Sequence, residues 1–327
     1  MPALRPHPRS ILLTLDAFNT IFHPRQHVAL QYTQVAKATG FISPSVSPET
    51  VQAAFKVAYK RESASRPNYG RNTPGFGGPR EWWANIIRDC FAQVHMEERR
   101  RENTLETGVV REVPDSLVTE LLQRFESKEG YALFDDVEEF FGRLKACKRE
   151  LQEKKKAGCI ESSGIENIIV GVISNSDDRV SSVLNSLGLS VGNAWADNGE
   201  LLLRAASSAP TTNAAEAELN DIDFIVTSYE AGEEKPHHHI FDIAKTRAKE
   251  HLLATDPSYE LNDDWRCIHI GDDYGHDYKG ATNAGWEGFL LLRDGMDYLS
   301  GTNHQAIDGD VKSLQSLNEL YSYLGLR

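Results

Sequence analysis

Residues 10–20, SILLTLDAFNT, begin with an apolar run and end in a turn that opens with an aspartate. A largely continuous run of apolar side chains is typical of a strand buried on both faces of a parallel sheet. Four later stretches share this pattern: ENIIVGVISNS (166–176), DFIVTS (223–228), RCIHIGDD (266–273) and GFLLL (288–292). The sequence therefore predicts a parallel sheet that contains these five strands.

Helical periods lie between the predicted strands. Apolar residues recur at intervals of three and four along residues 134–144, 180–187, 240–252 and 314–324. Asp177 and Asp178 are suitable N-caps for the second of these helices, and Pro236 suits the first turn of the third. This alternation of strands and helices predicts an α/β fold with a Rossmann-like, doubly wound parallel sheet.

Residues 22–130 interrupt the alternation. They contain no strand run, but apolar residues at helical spacing occur in both halves of the segment. Residues 68–80, NYGRNTPGFGGPR, are rich in glycine and proline and predict a loop. We therefore expect an all-helical cap domain at 22–130, inserted into a core that comprises residues 1–21 and 131–327.

Two further segments, residues 148–167 and 191–220, are polar inserts. The first is rich in lysine and glutamate, and the second contains the run AASSAPTTNAAEAE. Because such compositions offer little apolar surface for burial, we expect both inserts to be disordered or exposed at the surface.

Composition and charge exclude several classes of function. The 327 residues carry 35 Lys and Arg against 48 Asp and Glu, a net charge of −13, so nucleic acid and anionic membranes are not expected partners. The longest strongly apolar run, residues 168–173, is too short to span a bilayer. The four cysteines lack CxxC spacing and indicate reduced thiols. With no secretory signal before the first strand, we expect a cytoplasmic protein; mitochondrial or nuclear association stays open, and no protein partner is identified.

Ligands of an open α/β sheet bind at the carboxyl ends of its strands. The polar residues expected there are Asp16, Asn19 and Thr20 after the first strand, Ser174 and Asn175 after the second, Lys235 after the third, and Asp272, Asp273 and Asp277 after the fourth. This set suits an aspartate nucleophile that attacks a phosphoryl group beside Mg²⁺, which prefers oxygen ligands.

The motifs LTLDAFNTI, VISNS, GEEKPHHHIF and HIGDDYGHD resemble, in this order, motifs one to four of the haloacid dehalogenase superfamily of hydrolases. The resemblance implies a Rossmann-like core with a helical cap inserted after motif one. It also implies that Asp16 is the nucleophile, Ser174 the motif-two hydroxyl and Lys235 the motif-three lysine.

The same resemblance implies a Mg²⁺ site. Its ligands would be Asp16, the backbone carbonyl of Phe18, Asp272 and a further acid of motif four, for which Asp273 and Asp277 are both candidates. Thr20 and Asn175, in the turns beside these residues, are candidate substrate-binding residues.

Phe18 departs from the phosphatase pattern of the superfamily, which has an aspartate at this position as general acid and base. A phenyl ring carries no transferable proton. The first expectation is a Mg²⁺-dependent phosphohydrolase that acts on a small phosphorylated metabolite through an aspartyl-phosphate. The alternatives are a catalytically weak or inactive relative that binds a ligand or protein, and a metal-free 2-haloacid dehalogenase. The last would explain Phe18 but gives Asp272 and Asp273 no role.

Overall fold

The computed structural model describes residues 9–101, 111–159, 164–192, 194–195, 201–202, 219–256, 259, 264–293 and 311–325. Its strands are β1 (Ser10–Leu15), β2 (Phe22–Pro24), β3 (Tyr131–Leu133), β4 (Asn167–Ser174), β5 (Ala194–Trp195), β6 (Leu201–Leu202), β7 (Phe224–Thr227), β8 (Trp265–Gly271), β9 (Glu287–Leu291) and β10 (Ser313–Leu314). Its α-helices are α1 (Val28–Ala38), α2 (Pro48–Ser65), α3 (Gly78–Arg101), α4 (Asp115–Arg124), α5 (Val137–Lys156), α6 (Arg179–Ser186), α7 (Ser228–Ala231), α8 (His238–Thr255), α9 (Gly280–Asn283) and α10 (Leu320–Leu324). Short 3₁₀ helices lie at Asn68–Gly70 and Leu317–Glu319, and a π-helix lies at Tyr274–Lys279.

The main sheet is parallel and has the strand order β10-β9-β8-β1-β4-β7. β1 lies at its centre, where Leu13 is in register with Val170 of β4 on one side and with Ile268 of β8 on the other. All six residues of β1 are buried, as expected for an apolar strand covered on both faces. The sheet and the helices between its strands confirm the predicted Rossmann-like α/β fold.

Helix α8 packs against β4 and β7 through one apolar stripe. Ile240, Phe241 and Ala244 follow helical spacing, so they project from one side of the helix. They join Ile173 and Val226 in a buried cluster, and burial of each large apolar side chain contributes about 1.5–3 kcal/mol. This packing fixes α8 and the segment that immediately precedes it.

The chain divides into two compact units. The first contains the main sheet and comprises the described residues up to His23, Leu133–Ser176 and the described residues from Gly188 onward. The second comprises Pro24–Ala132 and Asp177–Leu187 and contains α1 to α4 and α6, so the inserted unit is mainly helical. The domain boundaries inferred from sequence stay predictions. Residues 177–187, assigned to the core on sequence, group here with α1 to α4.

Part of the predicted insert at 148–167 is helical, and its first residue, Lys148, is buried. Helix α5 continues through Lys156, and the Lys148 side chain is enclosed, with its ammonium group on Asp223. The expectation of a disordered or exposed segment was therefore wrong for Lys148, whereas most of the residues that follow it in α5 are exposed at the surface. Composition misled because a lysine can enter the interior when a carboxylate pairs with it.

Other boundaries also differ from the expectations. Helix α3 begins at Gly78, inside the predicted loop at 68–80, and α8 begins at His238, so Pro236 precedes that helix. Within the predicted insert at 191–220, β5 and β6 form an antiparallel pair, and most of the remaining residues lie outside the described part. Among the described residues, no helix is both long enough and apolar enough to cross a membrane.

Candidate active site

The motif residues follow neighbouring strands at one edge of the main sheet. Because β1 lies between β4 and β8, Asp16 at the end of β1 is beside the ends of both strands. Ser174 is the last residue of β4 and is buried, and Asp272 directly follows β8. The backbone N–H of Asp16 donates to the carbonyl of Ile270 at 2.8 Å, which ties the start of the motif-one turn to β8.

Lys235 links the motifs through its ammonium group, although its side chain is only 2% exposed. Its Nζ lies 2.6 Å from Oδ1 of Asp16, 2.7 Å from Oδ1 of Asp277 and 2.7 Å from the carbonyl oxygen of Ile173. An ammonium group has three N–H donors, so these contacts use all of them. In this arrangement Lys235 orients the Asp16 carboxylate and neutralises part of the local negative charge.

Asn175 holds the backbone of Lys235 from both sides. Its Oδ1 accepts from the N–H of Lys235 at 2.7 Å, and its Nδ2 donates to the Lys235 carbonyl at 2.9 Å. The sequence marked Asn175 as a candidate substrate-binding residue. In the structure this side-chain amide connects motif two to motif three and positions the lysine, and its role in substrate binding stays a prediction.

Asp16, Asp272 and Asp277 form an acidic cluster. Each offers a carboxylate oxygen, and these oxygens lie within 4.8 Å of one another. Asp16 and Asp277 share Lys235, whereas Asp272 forms a hydrogen bond with the side chain of Asn19. Three carboxylates that face one ammonium group leave a surplus of two negative charges when all are ionised.

Asp273 has a different role from its neighbour Asp272. Its Oδ1 accepts the backbone N–H groups of Gly275 and His276, both at 2.7 Å, and so caps the π-helix. The Nδ1 atom of His276 lies 3.2 Å from the same oxygen. The carboxylate of Asp273 is outside the acidic cluster, so the geometry favours Asp277 over Asp273 as the further acid of the predicted metal site.

The acidic cluster raises the pKa of two of its members. Burial raises the pKa of Asp16 to about 6; Lys235 opposes this shift, and the charge of Asp277 adds to it. Burial also raises the pKa of Asp272 to about 7, with further repulsion from Asp16 and Asp277. Both shifts report unfavourable negative charge, which a divalent cation would relieve.

Asp277 differs from the other two members of the cluster because its pKa is lowered, so its ionised form is favoured. Burial opposes its ionisation, but Lys235 and the hydrogen bond from His269 outweigh burial and hold the pKa of Asp277 well below its ordinary range. Likewise, Asp16 and Asp277 outweigh burial and raise the pKa of Lys235. The clustered carboxylate oxygens and their surplus charge fit Mg²⁺, a hard cation bound by one or more carboxylates and water.

Two residues of the motif-one turn, Phe18 and Thr20, pack against the protein interior, and their predicted roles stay predictions. The ring of Phe18 meets the buried ring of Phe22 edge to face, with centroids 4.7 Å apart, so this side chain is part of the packing. Thr20 is fully buried, and its Oγ1 makes no hydrogen bond within the described part of the chain. Its carbonyl accepts from Nη2 of Arg293 at 2.6 Å, which anchors the turn.

Sequence reasoning missed residues that support the cluster from below. These are Thr14 and His269, which contact each other and of which His269 also contacts Asp277; Asn19, which was expected at this end of the sheet, binds Asp272. Asn19 has a φ of 57°, a left-handed conformation that asparagine adopts more readily than most residues. The available signal was a polar residue, Thr14 or His269, within an otherwise apolar strand.

The chain is similar over most of its length to known proteins. The haloacid dehalogenase-like hydrolase domain-containing protein 3 of Danio rerio is 28% identical over 306 residues, which cover 93% of this chain and 92% of that protein. An uncharacterized protein of Saccharomyces cerevisiae is 27% identical over 310 residues, 93% of this chain and 79% of that protein. These similarities confirm the resemblance to haloacid dehalogenase-like hydrolases that the motifs predict.

The fold also has a counterpart among solved structures. A 2-haloacid dehalogenase from Pseudomonas syringae pv. Tomato matches 96% of this chain and 97% of its own, with a TM-score of 0.51 and 15% identity. At that identity the likeness concerns the fold alone. No protein-family model matches the chain.

Proposed function

We propose that this chain is a Mg²⁺-dependent phosphohydrolase that acts on a small phosphorylated metabolite through an aspartyl-phosphate on Asp16. The observation that carries the proposal is the acidic cluster, in which Asp16 stands beside Asp272 and Asp277, and Lys235 supplies the one ammonium group that the described residues bring into contact with them. When bound there, a divalent cation polarises the phosphoryl group and offsets the surplus negative charge.

Asp16 is the nucleophile in this proposal. Lys235 holds Oδ1, so we assign the attack to Oδ2 of the same carboxylate. Oδ2 forms a bond to phosphorus while the bond between phosphorus and the leaving oxygen breaks, which releases an alkoxide, phenolate or carboxylate that takes any proton it needs from solvent. Water then adds to phosphorus, the bond to Asp16 breaks, and inorganic phosphate leaves with the carboxylate restored.

Phe18 limits which leaving groups react quickly. Positioned general acid catalysis contributes about 10²–10⁴-fold, and a phenyl ring contributes none of it. A phenolate or carboxylate leaves without a proton, whereas an alkoxide requires one. The proposal therefore favours aryl and acyl phosphates over alkyl phosphates. The same observation supports a second candidate, a weak or inactive relative that binds a phosphorylated ligand without turnover.

The acidic cluster argues against metal-free dehalogenation. A 2-haloacid is itself a carboxylate, and its approach to Asp16 would add negative charge to a group of residues that already repel one another. Asp272 and Asp277 would hinder that reaction, whereas they assist phosphoryl transfer when a cation is bound.

The test is an activity screen of the purified full chain with p-nitrophenyl phosphate, acetyl phosphate, glycerol phosphate and 2-chloropropionate, with Mg²⁺ or with chelator. We expect hydrolysis of the first two substrates in Mg²⁺ alone. Asp16→Asn should lower it by about 10³-fold or more, because an amide is a poor nucleophile. The matched control is Asp242→Asn, an exposed carboxylate on α8, which should retain the wild-type rate.

Phe18→Asp, compared only as a folded variant, distinguishes the two candidates. A gain on glycerol phosphate would show that the missing acid limits a working phosphohydrolase. Binding of inorganic phosphate without turnover in either protein would favour the second candidate. Turnover of 2-chloropropionate in chelator would contradict both.

A further inference from the structure

Two buried polar residues, Thr14 and His269, lie beneath the acidic cluster. They occur within β1 and β8 and are in register with each other in the parallel pair. Residues two apart on a strand project to the same face, so Thr14 is on the same face of the sheet as Asp16. Polar groups placed this deep require hydrogen-bond partners, because an unpaired one destabilises the fold.

Their partners form a continuous series of contacts that ends at the nucleophile. Oγ1 of Thr14 lies 2.9 Å from Nδ1 of His269, and Nε2 of His269 lies 3.2 Å from Oδ1 of Asp277. The same oxygen of Asp277 contacts Lys235, which in turn contacts Asp16. Since an ionised carboxylate can only accept, Nε2 of His269 carries a proton, and Nδ1 is left to accept from the hydroxyl of Thr14, whose Oγ1 also lies 3.1 Å from the carbonyl oxygen of Ile268.

Phe241 and Gly271 keep the histidine and the aspartate in place. The ring of Phe241 meets the imidazole of His269 edge to face, with centroids 5.3 Å apart. A Cβ atom at Gly271 would lie 2.1 Å from the carboxylate of Asp277, so only glycine leaves room for this arrangement. The packing of Phe241 thus supports the histidine of this contact, and the space at Gly271 accommodates the aspartate.

The two oxygens of Asp277 have different partners. Oδ1 accepts from both Lys235 and His269, which accounts for its two lone pairs. From the described residues, Oδ2 accepts one hydrogen bond, which the backbone N–H of Asp273 donates at 3.0 Å. One lone pair of Oδ2 is therefore left for a cation, and rotation of the carboxylate would break three hydrogen bonds.

We propose that His269, oriented by Thr14, is a positioning residue that fixes Asp277 so that Oδ2 faces the cation of the acidic cluster. The inference rests on the proposed function for the presence of that cation. His269 touches neither substrate nor cation in this role and acts through Asp277. Hydrogen-bond partners of metal ligands typically contribute 10–100-fold to metal affinity.

The experiment measures Mg²⁺ affinity by calorimetric titration of the full chain, independently of turnover. His269→Leu removes both ring nitrogens and should weaken Mg²⁺ binding about tenfold or more. His269→Gln, whose amide can still donate to Asp277, should recover most of that loss. Thr14→Val should weaken binding less than His269→Leu, and Thr14→Ser should match the wild type.

His251→Leu is the matched control. His251 is another buried histidine in the same unit, but it faces Asp223 rather than the acidic cluster. If it weakens Mg²⁺ binding as much as His269→Leu, the effect is a general one of core substitution and the inference is wrong. Equal losses in His269→Gln and His269→Leu, or normal affinity in a folded His269→Leu protein, would also overturn it.

The outcome separates this inference from the proposed function. Mg²⁺ binding that depends on His269, in a protein that hydrolyses no phosphate ester, would support the positioning role and remove the phosphohydrolase. Mg²⁺-dependent hydrolysis that substitution of His269 leaves unchanged would support the phosphohydrolase and overturn the positioning role. A wild-type chain without Mg²⁺ affinity would overturn both.

Discussion

The main-sheet unit contains two buried centres at which a lysine contacts aspartate, one with surplus negative charge and one with balanced charge. At the carboxyl ends of the strands, Lys235 contacts Asp16 and Asp277, with Asp272 nearby. Directly before β7, at its amino end, Lys148 of α5 contacts Asp223. The first centre has three carboxylates for one ammonium group, whereas the second pairs one with one.

The second centre is closed. Nζ of Lys148 lies 2.8 Å and 2.7 Å from the two oxygens of Asp223, and Oδ2 of Asp223 also accepts the backbone N–H of Val170 at 2.8 Å. The Asp223 N–H in turn donates to the Val170 carbonyl at 2.7 Å, so the pair connects α5 to the edge of the sheet. Nothing in this geometry calls for a further ligand.

The difference teaches how to separate a structural ion pair from a candidate site. Both centres bury a lysine, so burial alone does not distinguish them. In the closed centre, charge and hydrogen bonds are balanced within the chain. In the acidic cluster, burial raises the pKa of Asp16 to about 6 and of Asp272 to about 7, and repulsion between the carboxylates adds to both shifts. A bound cation would balance the surplus negative charge of the acidic cluster.

The largest stability effect should come from the closed centre. Asp223→Asn leaves Lys148 buried without its countercharge, and loss of one partner of a buried pair costs about 3–5 kcal/mol. Urea unfolding of the variant and the wild type measures the difference in free energy of unfolding. Mg²⁺ should leave the size of this loss in free energy of unfolding unchanged.

A double variant shows whether the unpaired charge causes that loss. Lys148→Met/Asp223→Asn removes both charges and keeps an acceptor for the N–H of Val170. It should be clearly more stable than Asp223→Asn alone. If the two variants are equally unstable, the lost carboxylate contacts, rather than the stranded ammonium group, explain the effect.

The acidic cluster should respond in the opposite direction. In chelator at neutral pH, Asp272→Asn should raise the free energy of unfolding by about 1–2 kcal/mol, because it removes a carboxylate that is costly to ionise. A raised pKa in the folded state means that stability is lost as pH rises, so the gain should be larger at pH 8 than at pH 5. Mg²⁺ should stabilise the wild type but not the variant. A less stable variant in chelator would show that the carboxylates do not repel one another.

The strand ends explain how much of the site was foreseeable. Asp16, Ser174 and Asp272 each follow a continuous apolar run, and the carboxyl ends of parallel strands meet at one edge, so spacing alone predicts that they approach one another. Lys235 was also placed at this edge. Its three contacts were not foreseeable, because they depend on how the side chain of Asn175 holds the lysine and where the backbone carbonyl of Ile173 lies.

Two of the missed contacts, those of Thr14 and Lys148, join residues that are remote in sequence. Thr14 meets a residue 255 positions away, and Lys148 meets one 75 positions away. Composition described residues 148–167 as a polar insert, and no local pattern distinguishes a lysine that pairs with a buried carboxylate from one that faces solvent. To predict the pair of Lys148 and Asp223, one would need to know how α5 lies against the segment before β7, and only the folded chain supplies that information.

The smallest expected effect concerns His251, which lies beside the closed centre with Nε2 3.9 Å from Oδ1 of Asp223. Burial lowers its pKa, Asp223 opposes the shift, and Lys148 adds to it. The folded chain therefore binds a proton at His251 less readily than the unfolded chain, whose histidine titrates near pH 6.5. The stabilising effect of the neutral histidine should be fully present above that pH. It should fall as the solution is acidified through it, by less than about 1.4 kcal/mol per pH unit.

Urea unfolding between about pH 5 and pH 8 measures how the free energy of unfolding depends on pH. This dependence should be flatter for His251→Gln than for the wild type, and unchanged for His238→Gln, whose side chain is 65% exposed. If His251→Gln keeps the wild-type slope, the acid sensitivity arises from other groups and the closed centre is indifferent to this histidine.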